Sequence, residues 1–440
     1  MNITQNGTKI GYVHRTLQES KEGFHYSESI VMRINTMGIV QPLTVRMTAE
    51  LNADRTLSRF EYDLGSSLFR FRARGTIRGK RLTVHAGAPG GETITTITLA
   101  EVPYLGGTIL GSAVAAGLRP GERMSVPVFD PASLGQKPVQ IQLLEEGTLT
   151  VTGKPHRVKK LSVEFAGVRQ TAWIDEKGSL LREEGILGIT LEKVARETAL
   201  AGLESAVSGD LAEIASIRSP RPIDNPETLK TLTLRVSGLP EGSLFLDGGR
   251  QSYRDGVLTI RRESMDGRTA HGDAARQDLS PYLTATPLIQ SDHRKVRQTL
   301  GDILSPGDGE EVKARKILAW IHRHIEKRPV LSVPNALQTL ENRVGDCNEH
   351  AVLMAALSRA AGIPADMEAG LVFLRGRFYY HAWNVLFLPE KGGWITADPV
   401  LGQMPADATH IRFTRGGADQ QLDLVGLIGR LNLEILEMTR

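Results

Sequence analysis

At 440 residues the chain is too long for one ordinary hydrophobic core and should divide into two or three domains, each able to bury a stable interior. Hydrophobic residues at 40% and charged residues at 23% exclude a disordered or fibrous chain. The 53 basic residues are nearly balanced by 50 acidic ones, and a formal charge of +3 gives no reason to expect nucleic acid as a partner.

No run approaches the roughly 18 apolar residues of a membrane span, so no integral span is expected. The start, Met1-Asn2-Ile3-Thr4-Gln5-Asn6, lacks the basic and apolar regions of a secretory signal. The expectation is a cytosolic protein or one written without its leader. From about Lys9 to Thr198 period-two alternation dominates: Phe69, Phe71 and Ala73 alternate with Arg70, Arg72 and Arg74, and Leu161, Val163 and Phe165 with Ser162 and Glu164. The run from Ala172 to Leu181 reads as a strand, a glycine turn at Gly178 and a second strand. A curled antiparallel sheet or half-barrel around an apolar interior accommodates these segments. The arginine stripe could meet an anion, but a solvated strand face explains it with less.

A polar, proline-containing stretch from Ser216 to Pro222 ends this pattern. Short alternating segments resume from Leu229 to Arg262, and a second polar stretch follows from about Asp266 to Asp278. Ile317, Ile321 and Ile325 then share one stripe of a helix between Glu310 and Lys327. His322 and His324, two apart on that helix, face different ways and are expected to be solvated. The division expected is a β-rich domain over 1–215, a linker with a small β unit over 216–290, and a catalytic domain over 291–440. The apolar C-terminal segment from Leu422 to Ile435 is expected to bury itself against its own chain.

The chain holds one cysteine, Cys347, which rules out an internal disulfide and leaves a buried bystander, a metal ligand or a reactive thiol. Gly345-Asp346-Cys347-Asn348-Glu349-His350 opens a segment in which Ala351, Leu353, Met354, Leu357 and Ala360 follow helical spacing, closed by Gly362 and Pro364. Asp346 is a good N-cap, and Glu349 stands where a capping-box partner reaches back. A thiol at a helix N-terminus is expected to have a lowered pKa, and the free amides of the first turn can donate to an oxyanion. Beyond the helix, Ala369 to Leu374, Arg377 to Leu388 and Trp394 to Asp398 read as a three-stranded meander. Its tight turns let His381 and Asp398 meet across neighbouring strands, where a carboxylate fixes the imidazole tautomer and leaves the other nitrogen for the thiol proton.

Gly345-Asp346-Cys347, the helix ending Arg359-Ala360-Ala361-Gly362-Ile363-Pro364-Ala365, the strand His381-Ala382-Trp383 and the ending Gly393-Trp394-Ile395-Thr396-Ala397-Asp398-Pro399 together resemble the bacterial transglutaminase-like superfamily, over roughly Asp292 to Phe413. The resemblance implies an α+β chain whose C-terminal part is a papain-like core. It implies Cys347 as nucleophile, His381 as general base and acid, and Asp398 as orienter, acting on a peptide or protein substrate with no cofactor. Asn384 stands where many members carry a glutamate, and Val400 replaces a common threonine. The N-terminal region around Trp173 to Gly178 is similar to β half-barrel domains of bacterial envelope proteins, which implies envelope or lipid contact and, if a leader is missing from this chain, a periplasmic or cell-envelope location, otherwise a cytoplasmic one.

The residues also admit two other readings. A zinc site drawn from Cys347, His350, His381 and Asp398 lacks a second close-spaced ligand pair. A catalytically inert scaffold would work through its β region, with the thiol domain vestigial. Asn335 and Gln338 are candidate oxyanion donors, Trp394 is expected to pack the sheet, and Trp383 either packs it or lines the cleft.

Overall fold

The alternation in the first half of the chain becomes one continuous ladder. The computed structural model describes all residues except 88, 90, 91, 241–243 and 266–277, so most of the second polar stretch lies outside the described residues. Two units result: Met1–Ile214 with Leu331–Val333, and Ala215–Val330 with Pro334–Arg440.

The first unit is a 15-stranded sheet. The chain enters at its middle, where Asn2–Gln5 lies beside Ile189–Glu192, and hairpins run outward to Thr93–Thr98 at one edge. Tyr104–Leu105 then starts the opposite edge, and further hairpins return to the middle. Among the described residues the edge strands do not pair with each other, so the sheet stays open. It is nonetheless curled: Phe60 and Phe129, far apart in the ladder, meet with ring centroids 5.3 Å apart.

Phe69, Phe71 and Ala73 are buried as their alternation predicts. On the wet face Arg70 and Arg72 both reach Asp63, at 2.7 and 3.0 Å, and Arg74 reaches Glu92 at 3.5 Å. The turn after Trp173 is held by Asp175, whose Oδ1 accepts from the amides of Lys177 and Ser179, while Gly178 takes a φ of +81° that suits glycine. The buried side is not wholly apolar. Tyr26 donates its hydroxyl to Glu28 at 3.0 Å, Arg15 pairs with the same carboxylate, and the missing side chain of Gly107 leaves room for the Tyr26 hydroxyl.

In the second unit the helix Cys347–Ala360 is buried on nearly every side, as its dense apolar sequence requires. It packs on a five-stranded sheet. Ala365–Leu374 lies between Arg377–Leu388 and Ile411–Arg415; Gly393–Ala397 and Ile217–Arg218 both pair with Arg377–Leu388. The three-stranded meander is therefore present, enlarged by two strands. A four-stranded sheet, in the order Gln251–Arg254, Val257–Arg261, Thr231–Ser237, Asn432–Thr439, covers the other face. Leu232, Leu234 and Leu258 share a core there with Leu371, Phe378 and Phe413. Covered on both faces, Ala365–Leu374 is buried along nearly its whole length, including the carboxylates of Asp366 and Glu368. The C-terminal segment buries Leu427, Leu431, Leu433 and Ile435, as expected. Among the described residues no helix is long and apolar enough to cross a membrane.

Candidate functional site

Cys347 is the first residue of its helix. Asp346 caps it, accepting from the Asn348 amide at 2.8 Å, and Glu349 reaches back to the Asp346 amide at 3.0 Å. Gly345 is dictated by that closure, since a Cβ there would stand 2.3 Å from Glu349 Cβ. The capping box thus forms as the sequence predicts. The backbone N–H of Cys347 itself has no hydrogen-bond partner among the described residues and is available to an oxyanion.

The expected lowering of the thiol pKa is overturned. Burial pushes the Cys347 thiol well up, and the carboxylates of Asp346, Glu349 and Asp398 act in the same direction, opposed by the Ala382 backbone amide that donates to the sulfur. The residues that fix the helix start also bring negative charge beside the sulfur, an effect that an argument from the helix dipole alone leaves out. Cys347 as a whole keeps part of its surface open.

The Ala382 amide is the neighbour of His381, so the sulfur sits against the strand that carries the imidazole. His381 donates from Nε2 to Asp398 Oδ2 at 2.8 Å, which leaves Nδ1 as the basic nitrogen. Asp398 is fully enclosed. Its Oδ1 accepts from the amides of Val400 and Leu401, at 2.7 and 3.0 Å, and its Oδ2 from His381 and, at 3.0 Å, from His410. Burial raises its pKa, but the two imidazoles outweigh it and hold the carboxyl far below the usual range.

Several supports hold the imidazole in place. Trp383 stacks on His381 with centroids 6.1 Å apart and donates to Glu368 at 3.0 Å. Glu368 is buried and also accepts from Arg412 at 3.0 Å and from Arg415. Burial opposes its charge, yet the two guanidiniums hold its pKa down to about 2. Opposite His381 on the adjacent strand stands Gly370, where a Cβ would lie 1.9 Å from the Ile411 carbonyl oxygen. Trp383 therefore packs, and so does Trp394, edge-on to Phe387 and Tyr282. Asn384 donates to the Ala351 carbonyl at 2.9 Å and ties the helix to the sheet. Asn335 caps the helix Ala336–Asn342 by accepting from the Gln338 amide at 3.1 Å. His322 is half-buried rather than solvated, with its Nδ1 3.2 Å from the Pro399 carbonyl.

His410 and Asp407 carried no role in the sequence reading. His410 is fully buried, with Nδ1 3.2 Å from Asp407 Oδ1. The local signal is Asp407-Ala408-Thr409, an Asx turn in which Asp407 Oδ1 accepts from the Thr409 amide and hydroxyl at 2.8 and 2.6 Å. His381, Asp398 and His410 offer atoms within 4.8 Å of one another, a spacing that a metal could use. Ligand atoms around a tetrahedral zinc stand about 3.3 Å apart. The separations of 2.8 and 3.0 Å here are hydrogen-bond lengths, both converging on one oxygen. His350 is occupied elsewhere, its Nδ1 2.7 Å from the Asp346 carbonyl.

Residues 297–399 match the family model of the transglutaminase-like superfamily core. No curated protein matches the chain. Among solved structures, a protein from Cytophaga hutchinsonii provisionally named a cysteine protease is 18% identical over 51% of this chain and 85% of its own, with a TM-score of 0.30. A β-barrel-like protein of unknown function from Brucella abortus is 11% identical over 43% of this chain and 91% of its own, with a TM-score of 0.33. At these TM-scores neither likeness bears on what the protein does. The helix, the meander and the motifs lie in the stretch, residues 297–399, that matches the transglutaminase-like superfamily core.

Proposed function

We propose that the second unit catalyses cysteine-dependent acyl transfer on an amide or peptide, with Cys347, His381 and Asp398 as its triad. Cys347 Sγ attacks the carbonyl carbon while His381 Nδ1 takes the thiol proton, so the nucleophile forms during attack rather than before it. The Cys347 amide donates to the oxyanion. As the intermediate collapses, His381 returns its proton to the departing amine and a thioester remains on Cys347. Water activated by His381 then releases the acid. Hydrolysis is preferred over cross-linking because water needs no binding site, whereas an amine acceptor must be bound and held against the thioester.

What supports this reading above all is the 2.8 Å bond from His381 to an Asp398 whose oxygens are both fully engaged, beside a sulfur at the mouth of a helix. The test is labelling of the full chain with a thiol-directed peptide probe, with release of product measured in water and with an added primary amine. Wild type is expected to be labelled at Cys347 and to hydrolyse peptide, Cys347→Ala to do neither, and Asp398→Asn to lose on the order of 10⁴-fold in rate, as in Ser-His-Asp enzymes. A wild-type thiol that no probe modifies at any pH would sink the proposal.

A further inference from the structure

Asp398 stands between two histidines, and the mechanism uses only one. His410, just ahead of the strand Ile411–Arg415, directs Nε2 at Asp398 Oδ2 and Nδ1 at Asp407 Oδ1, at 3.0 and 3.2 Å. Both carboxylates are buried, at 0% and 2% exposure. A neutral imidazole has one N–H. It could satisfy one of these oxygens only by pressing a lone pair against the other, in a place where water cannot intervene. Two acceptor-only partners call for two donors.

We infer that His410 is held as an imidazolium and acts as a positioning residue, closing a buried chain Asp407–His410–Asp398–His381 that fixes the Asp398 carboxylate and offsets its charge at the sulfur. This rests on the reading of Cys347 as nucleophile and His381 as its base. Asp407 is held by Gln403 at 2.9 Å and by Thr409, and Arg250 donates to the carbonyls of Ala406 and Asp407 while pairing with Glu263 at 3.1 Å. The rings of His381 and Trp383 lie 5.9 and 5.1 Å from that of His410. Burial alone would lower the His410 pKa, but hydrogen bonds to Asp398 and Asp407 outweigh it and raise the pKa to about 9. The consequence for the site follows from sign: the Asp398 charge makes the thiol harder to ionise, and a cation on the far side of that carboxylate reduces the effect.

The first test is ¹⁵N NMR of the full chain with labelled histidine, the His410 signals being assigned by their loss in His410→Gln. Both ring nitrogens of His410 are expected to be protonated at pH 7.5 and to titrate near pH 9. A bare nitrogen on His410 at pH 7.5 overturns the inference whether or not the thiol reacts, so it fails separately from the proposed function. The second test is the pH profile of Cys347 alkylation by iodoacetamide. His410→Gln keeps a donor for Asp398 but loses the charge, and its midpoint is expected to move up by about one pH unit, a roughly tenfold slower reaction below the midpoint. A folded variant with an unmoved midpoint means that His410 is only structural. If the variant does not fold, or if wild type is not alkylated at all, the NMR result on wild type still decides the charge on His410.

Discussion

In the sheet unit Asp63 holds Arg70 and Arg72 at the water's edge; in the second unit a buried Glu368 holds the buried Arg412 and the partly buried Arg415. The chemistry is the same, a carboxylate shared by two guanidiniums, and the setting decides what it is worth. At the surface each ion keeps most of its hydration and the pair adds little. In the interior hydration is gone, and a charge stripped of its partner is strongly destabilising. The first unit is built on repeated alternation, with its Asp63 and Arg70 charges set on the wet face. The second is built on a few charges whose partners are each unique.

That contrast predicts its largest effect at Glu368. Glu368→Ala would leave Arg412 buried without its carboxylate and Trp383 without its acceptor. Removing one partner of a buried pair costs about 3–5 kcal/mol. Denaturant unfolding followed by tryptophan fluorescence is suited to this, because Trp320, Trp383 and Trp394 lie in the second unit and only Trp173 in the first. A variant that unfolds at the wild-type midpoint would mean the buried network contributes no more than the surface one.

Smaller at any single pH, but directional, is the titration of the second unit. The folded His410 pKa of about 9 lies above the usual 6.5. Its contribution is therefore complete below pH 6.5 and lost as pH rises through 9. Glu368, Asp398 and Asp407 are shifted the other way, Glu368 to about 2 from 4.5. Their contribution is present above the unfolded values and lost as pH falls through the folded ones. The fluorescence-detected midpoint should accordingly decline on both sides, beginning near pH 6.5 on the alkaline limb. A level midpoint from pH 6.5 to 9.5 would contradict a charged His410.

The same contrast explains what could be read from the sequence. Alternation, capping and turn residues are local, so the ladder, the Asp346–Glu349 box and the His381–Asp398 meander were legible from neighbouring residues. The ends of the buried chains are not local. Glu368 and Arg412 are 44 residues apart and meet because two strands align, and no periodicity marks Arg412 as anything but an exposed basic residue. Arg250, which ties Glu263 to the loop carrying Asp407, comes from farther still. His410 lay beside a legible Asx signature but gained meaning only once Asp398 was placed next to it. The thiol pKa is not legible for a related reason, since the helix dipole is visible in sequence while desolvation is a property of the assembled site.

The smallest expected effect completes the comparison from the other side. Asp63→Asn removes the carboxylate that Arg70 and Arg72 share, while leaving Phe69, Phe71 and Ala73 buried on the opposite face. The side chains of Arg70 and Arg72 are 49% and 44% exposed, so water replaces the lost partner and no ion is stranded. Circular dichroism of the β signal, which the first unit dominates, should show an unfolding midpoint that overlays wild type, and added salt should move both proteins alike. If Asp63→Asn instead proved as damaging as Glu368→Ala, the arginine stripe would be acting as a structural network. The distinction between a unit held by repetition and a unit held by placed charges would then have to be abandoned.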